Sequence, residues 1–322
     1  MANIQEIAKL AGVSSATVSR VINHKPHVSS ETRAHVQQII NQLDYVPNIN
    51  AVSLKKGATK MLGIVAPTFS DSLGTFLKNF TLAAQQGGYN VTLFLTGLDK
   101  QKELEAFERL RNKQLDGLVL VIRLNEWDVL ESYAKYGPIV TWQRVEDRNI
   151  QSVFMNQYDG YMLALEHLYE KGYRKIVNAY GNTAGLNTKS REKAYADFCQ
   201  KYDLNPNEFK HFYNQGHMSE GETMARWWVD QTHKPDAFVM ATDYLASGLV
   251  TEAKRLGLSI PQDFAVVGFD NTLVAHLLDL TTIHYPIGKQ GENAFIMIDN
   301  QLSKRTNPLE ALSFHLVERL TT

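Results

Sequence analysis

Residues 3–23 of the chain, NIQEIAKLAGVSSATVSRVIN, contain two short amphipathic segments separated by a glycine. Asn3 can cap a first helix, and Gly12 ends its apolar pattern. Ser14 can cap a second helix. The apolar residues of this second segment share one face at helical spacing: Val18, Val21 and Ile22. Two short helices joined by a tight glycine-containing turn predict a helix-turn-helix.

The polar face of the second predicted helix carries groups that can bond to the edges of DNA bases. In a helix-turn-helix, this helix enters the major groove with its first residues toward the bases. Arg20 can donate two hydrogen bonds to guanine, Ser15 can bond to several bases, and the methyl group of Ala16 can contact a thymine methyl group. The residues of this segment expected to contact DNA are Ser14, Ser15, Ala16, Thr17, Ser19, Arg20 and Asn23.

A third helix is predicted after Ser29, which can cap it. Its apolar stripe would close a three-helix core: Val36, Ile39, Ile40 and Leu43. The first sixty residues contain seven Lys or Arg against three Asp or Glu, a net charge of +4, whereas the rest of the chain has 26 against 31, a net charge of −5. A small basic module on a mildly acidic body is typical of local phosphate binding.

The amino-terminal segment closely resembles the lactose and galactose repressor family. The matching residues are Ala8, Ala11, Gly12, Val13, Ser14, Thr17, Val18, Ser19, Arg20, Val21, Ile22 and Asn23, followed by Val28, Ser29, Thr32 and Arg33. Further matches lie along the body, within residues 59–67, 167–176, 243–248, 261–271 and 281–282, so the resemblance covers essentially the whole chain. A dozen matches in one short segment are specific, and the resemblance implies an operator-binding head on an effector-binding body.

The resemblance also implies a hinge after the head. Pro47 ends the third helix, because proline cannot continue one, and residues 48–56 are too short and polar to form a stable helix alone. In the family, this segment folds on DNA and inserts a leucine into the minor groove; the matching residue is Leu54. Val52 stands where an arginine is common, which puts one DNA contact in doubt. The predicted domains are a head at 1–46, a hinge at 47–60 and a body at 61–322.

The body alternates β-rich runs with helical patterns, which predicts parallel sheets covered by helices. The predicted strands are Leu62–Ala66, Val91–Leu95, Leu118–Ile122, Ile139–Trp142, Val153–Asn156, Ile176–Tyr180, Phe238–Ala241 and Ala265–Phe269. The expected fold class is therefore an all-α helix-turn-helix head plus an α/β body of two doubly wound lobes, similar to periplasmic sugar-binding proteins. The default pocket is the cleft between the lobes.

Two effector contacts follow from the resemblance. Arg191 matches the arginine that clamps the ligand, and Asp270 matches an acid that accepts ligand hydroxyl or amine protons. Leu73 lies on the segment that usually supplies first-lobe contacts. Asp243 is expected to cap the helix that starts there, while Thr242 before it can face the cleft.

Three further residues at strand ends are predicted to face the same cleft. Gln143 and Arg144 stand where many family members carry an aspartate and an arginine, and Arg123 ends another strand. If the three arginines 123, 144 and 191 converge with Asp270 as the only acid, the pocket favours phosphate or carboxylate groups. The alternative is that these arginines pair with surface acids. Three tryptophans could stack on a sugar ring, although core packing is more usual: Trp142, Trp227 and Trp228.

The sequence has no phosphate-binding loop, no hydrolase elbow, no dinucleotide fingerprint and no His or Cys cluster with metal-ligand spacing. We therefore expect no enzyme activity, no cofactor and no metal. Met1–Leu10 carries charges and lacks a continuous apolar run, and no segment is apolar enough to span a membrane, so we expect a cytoplasmic protein. The single cysteine, Cys199, is predicted to be a buried structural thiol.

The expected function is that of a sequence-specific transcription regulator, in the main hypothesis a repressor. A homodimer would bind palindromic operator DNA, and a small effector (a sugar, phosphosugar or sugar acid) would control its affinity. Two alternatives remain open. The body could respond to a partner protein, or the chain could be a sugar-binding receptor without operator activity.

Overall fold

The computed structural model describes residues 3–46 and 57–322. These belong to two compact units, Met1–Thr59 and Lys60–Thr322. Most of the predicted hinge, including Leu54, lies outside the described residues.

The described part of the first unit is a bundle of three helices: α1 (Ile4–Leu10), α2 (Ser15–Ile22) and α3 (Ser30–Gln42). Each begins after the predicted cap, Asn3, Ser14 or Ser29, whose side-chain oxygen accepts a backbone N–H hydrogen bond at 2.9 to 3.1 Å. Gly12 adopts a left-handed backbone (φ 64°) in the turn between α1 and α2. The buried core joins all three helices: Ile7, Ala8, Ala11, Val18, Val21, Val36, Ile39 and Ile40. The predicted helix-turn-helix is confirmed.

The second unit contains two five-stranded sheets, as expected for two doubly wound lobes. The first sheet has the order β2-β1-β3-β4-β5 and is parallel throughout. Its strands are β1 (Met61–Ala66), β2 (Asn90–Leu95), β3 (Gly117–Leu120), β4 (Ile139–Thr141) and β5 (Gln151–Ser152). The helices that follow four of these strands are α4 (Asp71–Gln86), α5 (Lys100–Arg111), α6 (Trp127–Glu131) and α7 (Tyr158–Glu170).

The second sheet has the order β10-β9-β8-β7-β6, in which only β10 is antiparallel to its neighbour. Its strands are β6 (Ile176–Ala179), β7 (Ala237–Met240), β8 (Ala265–Asp270), β9 (Thr281–His284) and β10 (His315–Val317). Its connecting helices are α8 (Leu186–Tyr202), α9 (Met218–Val229), α10 (Asp243–Arg255), α11 (Leu273–Leu277) and α12 (Ile287–Ser303). Strand β7 and the edge strand β6 are buried along their whole length because helices cover both faces of the sheet.

The chain passes between the lobes three times. Helix α7 follows β5 but packs against α8 and β9 of the second lobe, and α12 follows β9 but packs against α4 of the first. Gly291 permits that close packing, since a Cβ there would lie 2.6 Å from the carbonyl oxygen of Phe76. The chain then returns to add β10 to the second sheet. Residues just before and after these crossings are therefore brought to the junction of the lobes.

One predicted strand is wrong, and the strands β5, β9 and β10 were not predicted. Strand β5 lies at Gln151–Ser152, and the predicted Val153–Asn156 instead forms the first crossing. The carbonyl oxygen of Val153 accepts a hydrogen bond from Gln290 Nε2 at 2.6 Å. A side chain of helix α12 thus takes the place of the backbone N–H that a neighbouring strand would donate to this oxygen. Strand β9 was not predicted because buried Thr281 and Thr282 do not form an apolar run.

Candidate functional site

The exposed side of α2 carries the base-contacting residues expected from the sequence. Ser15, Ala16 and Arg20 are exposed, while Val18 and Val21 are buried against the other two helices. The helix therefore presents its polar face to solvent, the orientation that reading a DNA groove requires.

Three of the other predicted DNA contacts stabilise the ends of α2. Ser14 Oγ lies 3.0 Å from Thr17 Oγ1 in addition to capping the helix. At the other end, Asn23 Nδ2 donates to the carbonyl oxygen of Ser19 at 2.7 Å. Ser14, Thr17, Ser19 and Asn23 remain predicted DNA contacts. In the structure, their hydrogen bonds stabilise the two ends of the helix that carries Arg20.

A cavity of about 620 Å³ lies at the junction of the two lobes. All seven residues predicted from the sequence to contact the effector line it: Leu73, Arg123, Gln143, Arg144, Arg191, Thr242 and Asp270. Lining residues that the sequence did not reveal include Ser72, Trp127, Phe154, Gln157, Gln215 and Tyr285. The tertiary structure thus brings together side chains from both lobes and from the crossings.

Arg191 on α8 is the buried cation of this cavity, with 5% of its surface exposed. Its Nε donates to Gln157 Oε1 and its Nη1 to the carbonyl oxygen of Ala241, both at 2.9 Å. The guanidinium lies 4.1 Å from the ring centre of Phe269. Burial lowers the pKa of Arg191, but a guanidinium stays protonated at neutral pH. It is therefore a positive charge held in a defined orientation.

Asp270 stands at the end of β8 with a strained backbone (φ 111°). Its Oδ2 accepts a hydrogen bond from Ser72 Oγ of the first lobe at 3.1 Å. Burial, and next the negative charge of Asp243, raise the pKa of Asp270 to about 8, against the opposing effects of Arg191 and Ser72. At neutral pH the carboxyl group is mostly protonated and can donate as well as accept a hydrogen bond.

Asp243 is not the cap of α10, contrary to the sequence prediction. Thr242 is the cap, since its Oγ1 accepts from the N–H of Leu245 at 3.1 Å. Asp243 is fully buried and accepts from the N–H of Thr272 at 2.7 Å and from Thr282 Oγ1 at 2.5 Å. It therefore fixes the loop that follows Asp270. Thr242 and Asp243 are both residue types that commonly cap helices, so the sequence does not show which of them is the cap. The structure shows it, because Asp243 is buried and bonds to other segments.

The first-lobe wall of the cavity contains Arg123, Gln143 and Arg144. Gln143 Oε1 accepts from the N–H of Arg123 at 2.8 Å, so this amide holds the backbone beside the cavity. Arg123 Nη1 lies 3.4 Å from Glu126 Oε2, and Arg144 Nε donates to Glu146 Oε1 at 2.7 Å. All three arginines named from the sequence line this cavity, and two of them pair with exposed acids. Whether they bind one anionic group of a ligand stays a prediction.

Of the three tryptophans considered as sugar-stacking residues, one lines the cavity and two belong to the core of the second lobe. Trp228 is buried in the core of the second lobe and Trp227 packs against it, whereas Trp142 lines the cavity and stacks on Phe76 at 5.0 Å between ring centres. Cys199 is buried, as predicted. Within the described ranges, no group of three or more His, Cys, Asp or Glu side chains could hold a metal ion.

Two family models match the chain: the lacI family of bacterial regulatory proteins over residues 3–48, and the periplasmic binding protein-like domain over residues 165–322. The HTH-type transcriptional regulator YkvZ of Bacillus subtilis, itself uncharacterised, is 30% identical over the full length of both chains. The chain belongs to the LacI family. As a LacI-family protein, it is a DNA-binding transcription regulator and not an enzyme.

Solved structures agree with the fold of this LacI-family regulator. A lac repressor dimer bound to operator and the anti-inducer ONPF superimposes with a TM-score of 0.85 at 23% identity, covering 99% of this chain and 98% of that one. A complex of the regulator CelR with cellobiose has a TM-score of 0.71 at 24% identity and full coverage of both chains.

Over residues 3–46 and 57–322, none of the helices has the length and apolar composition that a membrane span requires.

The raised pKa of Asp270 makes the stability of this LacI-family regulator depend on pH. The pKa is about 8 in the folded protein and about 4 in the unfolded chain, so folding binds a proton between these values. The contribution to stability is complete below about pH 4 and is lost as pH rises toward 8. We expect Asp270→Asn to gain stability relative to wild type across this range, measured by urea unfolding of the full chain at several pH values. The exposed Asp159→Asn is the matched control; parallel curves for wild type and Asp270→Asn would contradict the prediction.

Proposed function

We propose that this LacI-family protein is an operator-binding repressor whose affinity for DNA is set by a small sugar-type effector in the interlobe cavity. The observation that carries the proposal is the buried guanidinium of Arg191 in the wall of that cavity. Its bonds to Gln157 and Ala241 fix its plane, and the guanidinium has further N–H donors for ligand oxygens.

The head is proposed to read the operator through α2. Arg20, Ser15 and Ala16 would contact bases in the major groove, and the basic charge of the first sixty residues would attract the phosphates. We also propose that residues 47–60 form a hinge whose Leu54 enters the minor groove, between a head at 1–46 and a body at 61–322. DNA recognition would then combine direct base contacts with a bent operator.

An exposed apolar patch supports a symmetric homodimer. Leu273 and Leu277 lie one turn apart on α11 and are 72% and 70% exposed, and Tyr244 is half-exposed on neighbouring α10. A group of large exposed apolar side chains on neighbouring helices is a common feature of protein–protein contact surfaces. The solved lac repressor is a dimer on its operator. A homodimer would place two recognition helices on a palindromic operator.

The cavity suits a polyhydroxylated ligand. Thr242, Asp270 and Arg191 offer hydrogen-bond donors and acceptors, and Trp142 and Tyr285 offer apolar ring surface. CelR, with the same fold, was solved with cellobiose. The effector would change operator affinity by binding one arrangement of the two lobes more tightly than the other. We place this activity in the cytoplasm, where operator DNA is found.

The full-length protein provides a direct test of operator binding. Selection from a random DNA pool should recover a palindromic site, and log Kobs for that site should fall linearly with log salt because phosphate contacts release counterions. A sugar receptor without operator activity would select no site.

The effector is tested by thermal shift with sugars, phosphosugars, sugar acids and purines, since a ligand of the folded state raises its stability. A compound that raises Tm should also change the affinity for the selected operator. A compound that stabilises the protein without changing operator affinity would contradict the proposal. Operator binding that no compound alters would favour a partner protein as the regulator.

A further inference from the structure

The charge of the interlobe cavity is unbalanced. The described residues that line it include three arginines and a single carboxyl group, that of Asp270. Burial raises the pKa of Asp270 to about 8, so this group neutralises little of the positive charge at neutral pH. Glu126 and Glu146 pair with two of these arginines from outside the cavity, so an anionic group on the ligand would supply the negative charge that the cavity wall itself lacks.

The two arginines of the first lobe share one edge of the sheet. Arg123 follows β3 and Arg144 follows β4, and these strands are parallel neighbours. Gln143, next to Arg144, accepts the N–H of Arg123 at 2.8 Å, so the two segments are directly joined. Both residues line the cavity. An oxyanion at this edge could be contacted from two sides.

The loop that carries Arg123 is held in place from inside the lobe. Glu103 on α5 is fully buried, and its carboxylate accepts from the N–H groups of Leu124 at 2.7 Å and Asn125 at 2.8 Å. The guanidinium of Arg123 lies 5.2 Å from the ring centre of Trp127. The loop is therefore ordered before any ligand arrives, which reduces the entropy cost of binding.

The acidic partners of the two arginines are easily replaced. Arg123 Nη1 also donates to the carbonyl oxygen of Asn125 at 2.9 Å, which leaves other N–H groups of its guanidinium for a ligand. Glu126 and Glu146 have side chains 75% and 65% exposed, and neither lines the cavity. Exposed ion pairs of this kind contribute little free energy, since water solvates both charges well. We propose that Arg123 and Arg144 form an oxyanion subsite that binds a phosphate or carboxylate group of the effector. The inference rests on the proposed function and specifies the effector as an acidic or phosphorylated sugar.

Anion protection of the full-length protein tests the subsite with inorganic phosphate and acetate as probes. Tm is measured in each sodium salt against sodium chloride at equal ionic strength, for wild type and for Arg123→Gln/Arg144→Gln. We expect one anion to raise the Tm of wild type more than that of the double variant. Above the Kd of that anion for wild type, the difference in Tm should grow by about 2 to 4 °C for each tenfold increase in anion concentration. The anion with the larger difference identifies phosphate or carboxylate as the preferred group.

A matched control removes two exposed arginines of the same lobe that do not line the cavity, as Arg109→Gln/Arg111→Gln. This variant should keep the wild-type protection, which separates the subsite from general anion effects and from the basic head. Equal protection of wild type and Arg123→Gln/Arg144→Gln by both anions would overturn the inference.

The failure of the subsite and the failure of the proposed function give different results. If a neutral sugar controls operator affinity equally in wild type and in Arg123→Gln/Arg144→Gln, the function stands and the subsite does not. If the protein selects no operator, the function itself is wrong.

Discussion

Arg191→Lys is expected to weaken effector binding by about 2 to 4 kcal/mol, or roughly 30- to 1,000-fold in Kd, and to leave operator binding without effector unchanged. Lysine keeps the positive charge but lacks the planar fork, so it cannot bond to Gln157, Ala241 and the ligand together. The loss should appear in calorimetric titration with the compound found by thermal shift, and operator affinity should no longer respond to that compound.

Arg174→Lys is the matched control for this experiment. Arg174 is an arginine of the same lobe whose guanidinium donates to the carbonyl of Tyr169, and it does not line the cavity. It should bind the effector as wild type does. An effector Kd for Arg191→Lys within threefold of the wild-type value would show that the fork does not contact the ligand.

Arg20→Ala is expected to weaken binding to the selected operator by about 1 to 3 kcal/mol per recognition helix, the usual value of a bidentate base contact. In the proposed homodimer both subunits carry the change, so the total loss on a palindrome is about 2 to 6 kcal/mol. Base preference should relax at one position in each half-site. Fluorescence anisotropy on operators with single base-pair changes measures both effects.

Arg20→Lys separates base recognition from phosphate binding, because lysine keeps the charge without the two parallel donors. We expect it to retain the salt dependence of wild type and to lose the preference at the same base pair. Equal losses for Arg20→Ala on every DNA sequence would mean that Arg20 contacts only the phosphate backbone.

Local signals predicted the head well. The caps Asn3, Ser14 and Ser29 each bond to an N–H three residues later, an interaction contained within one turn of chain. Interactions of this range depend on neighbouring residues alone. The same local signal misled at Asp243, because its partners Thr272 and Thr282 lie 29 and 39 residues away.

The cavity was only partly predictable. Resemblance to a family indicated Arg191 and Asp270, and both line the cavity. Their partners were not predictable, since Gln157 lies 34 residues from Arg191 and Ser72 lies 198 residues from Asp270. The buried position of Glu103 behind the Arg123 loop was likewise hidden, because an acid on a charged helix usually faces solvent.

The sequence by itself determined the helix-turn-helix, the basic charge of the head, the two α/β lobes and the family. The helix-turn-helix, the charge and the lobes follow from helix caps, residue counts and the periodicity of short segments, and the family follows from the resemblance of individual residues to those of its members. Only the tertiary structure decided the three crossings, the course of residues 153–156, and which polar side chains face the cavity and which are buried behind it. Burial and hydrogen-bond partners depend on segments that are distant in the chain, so local patterns carry no information about them.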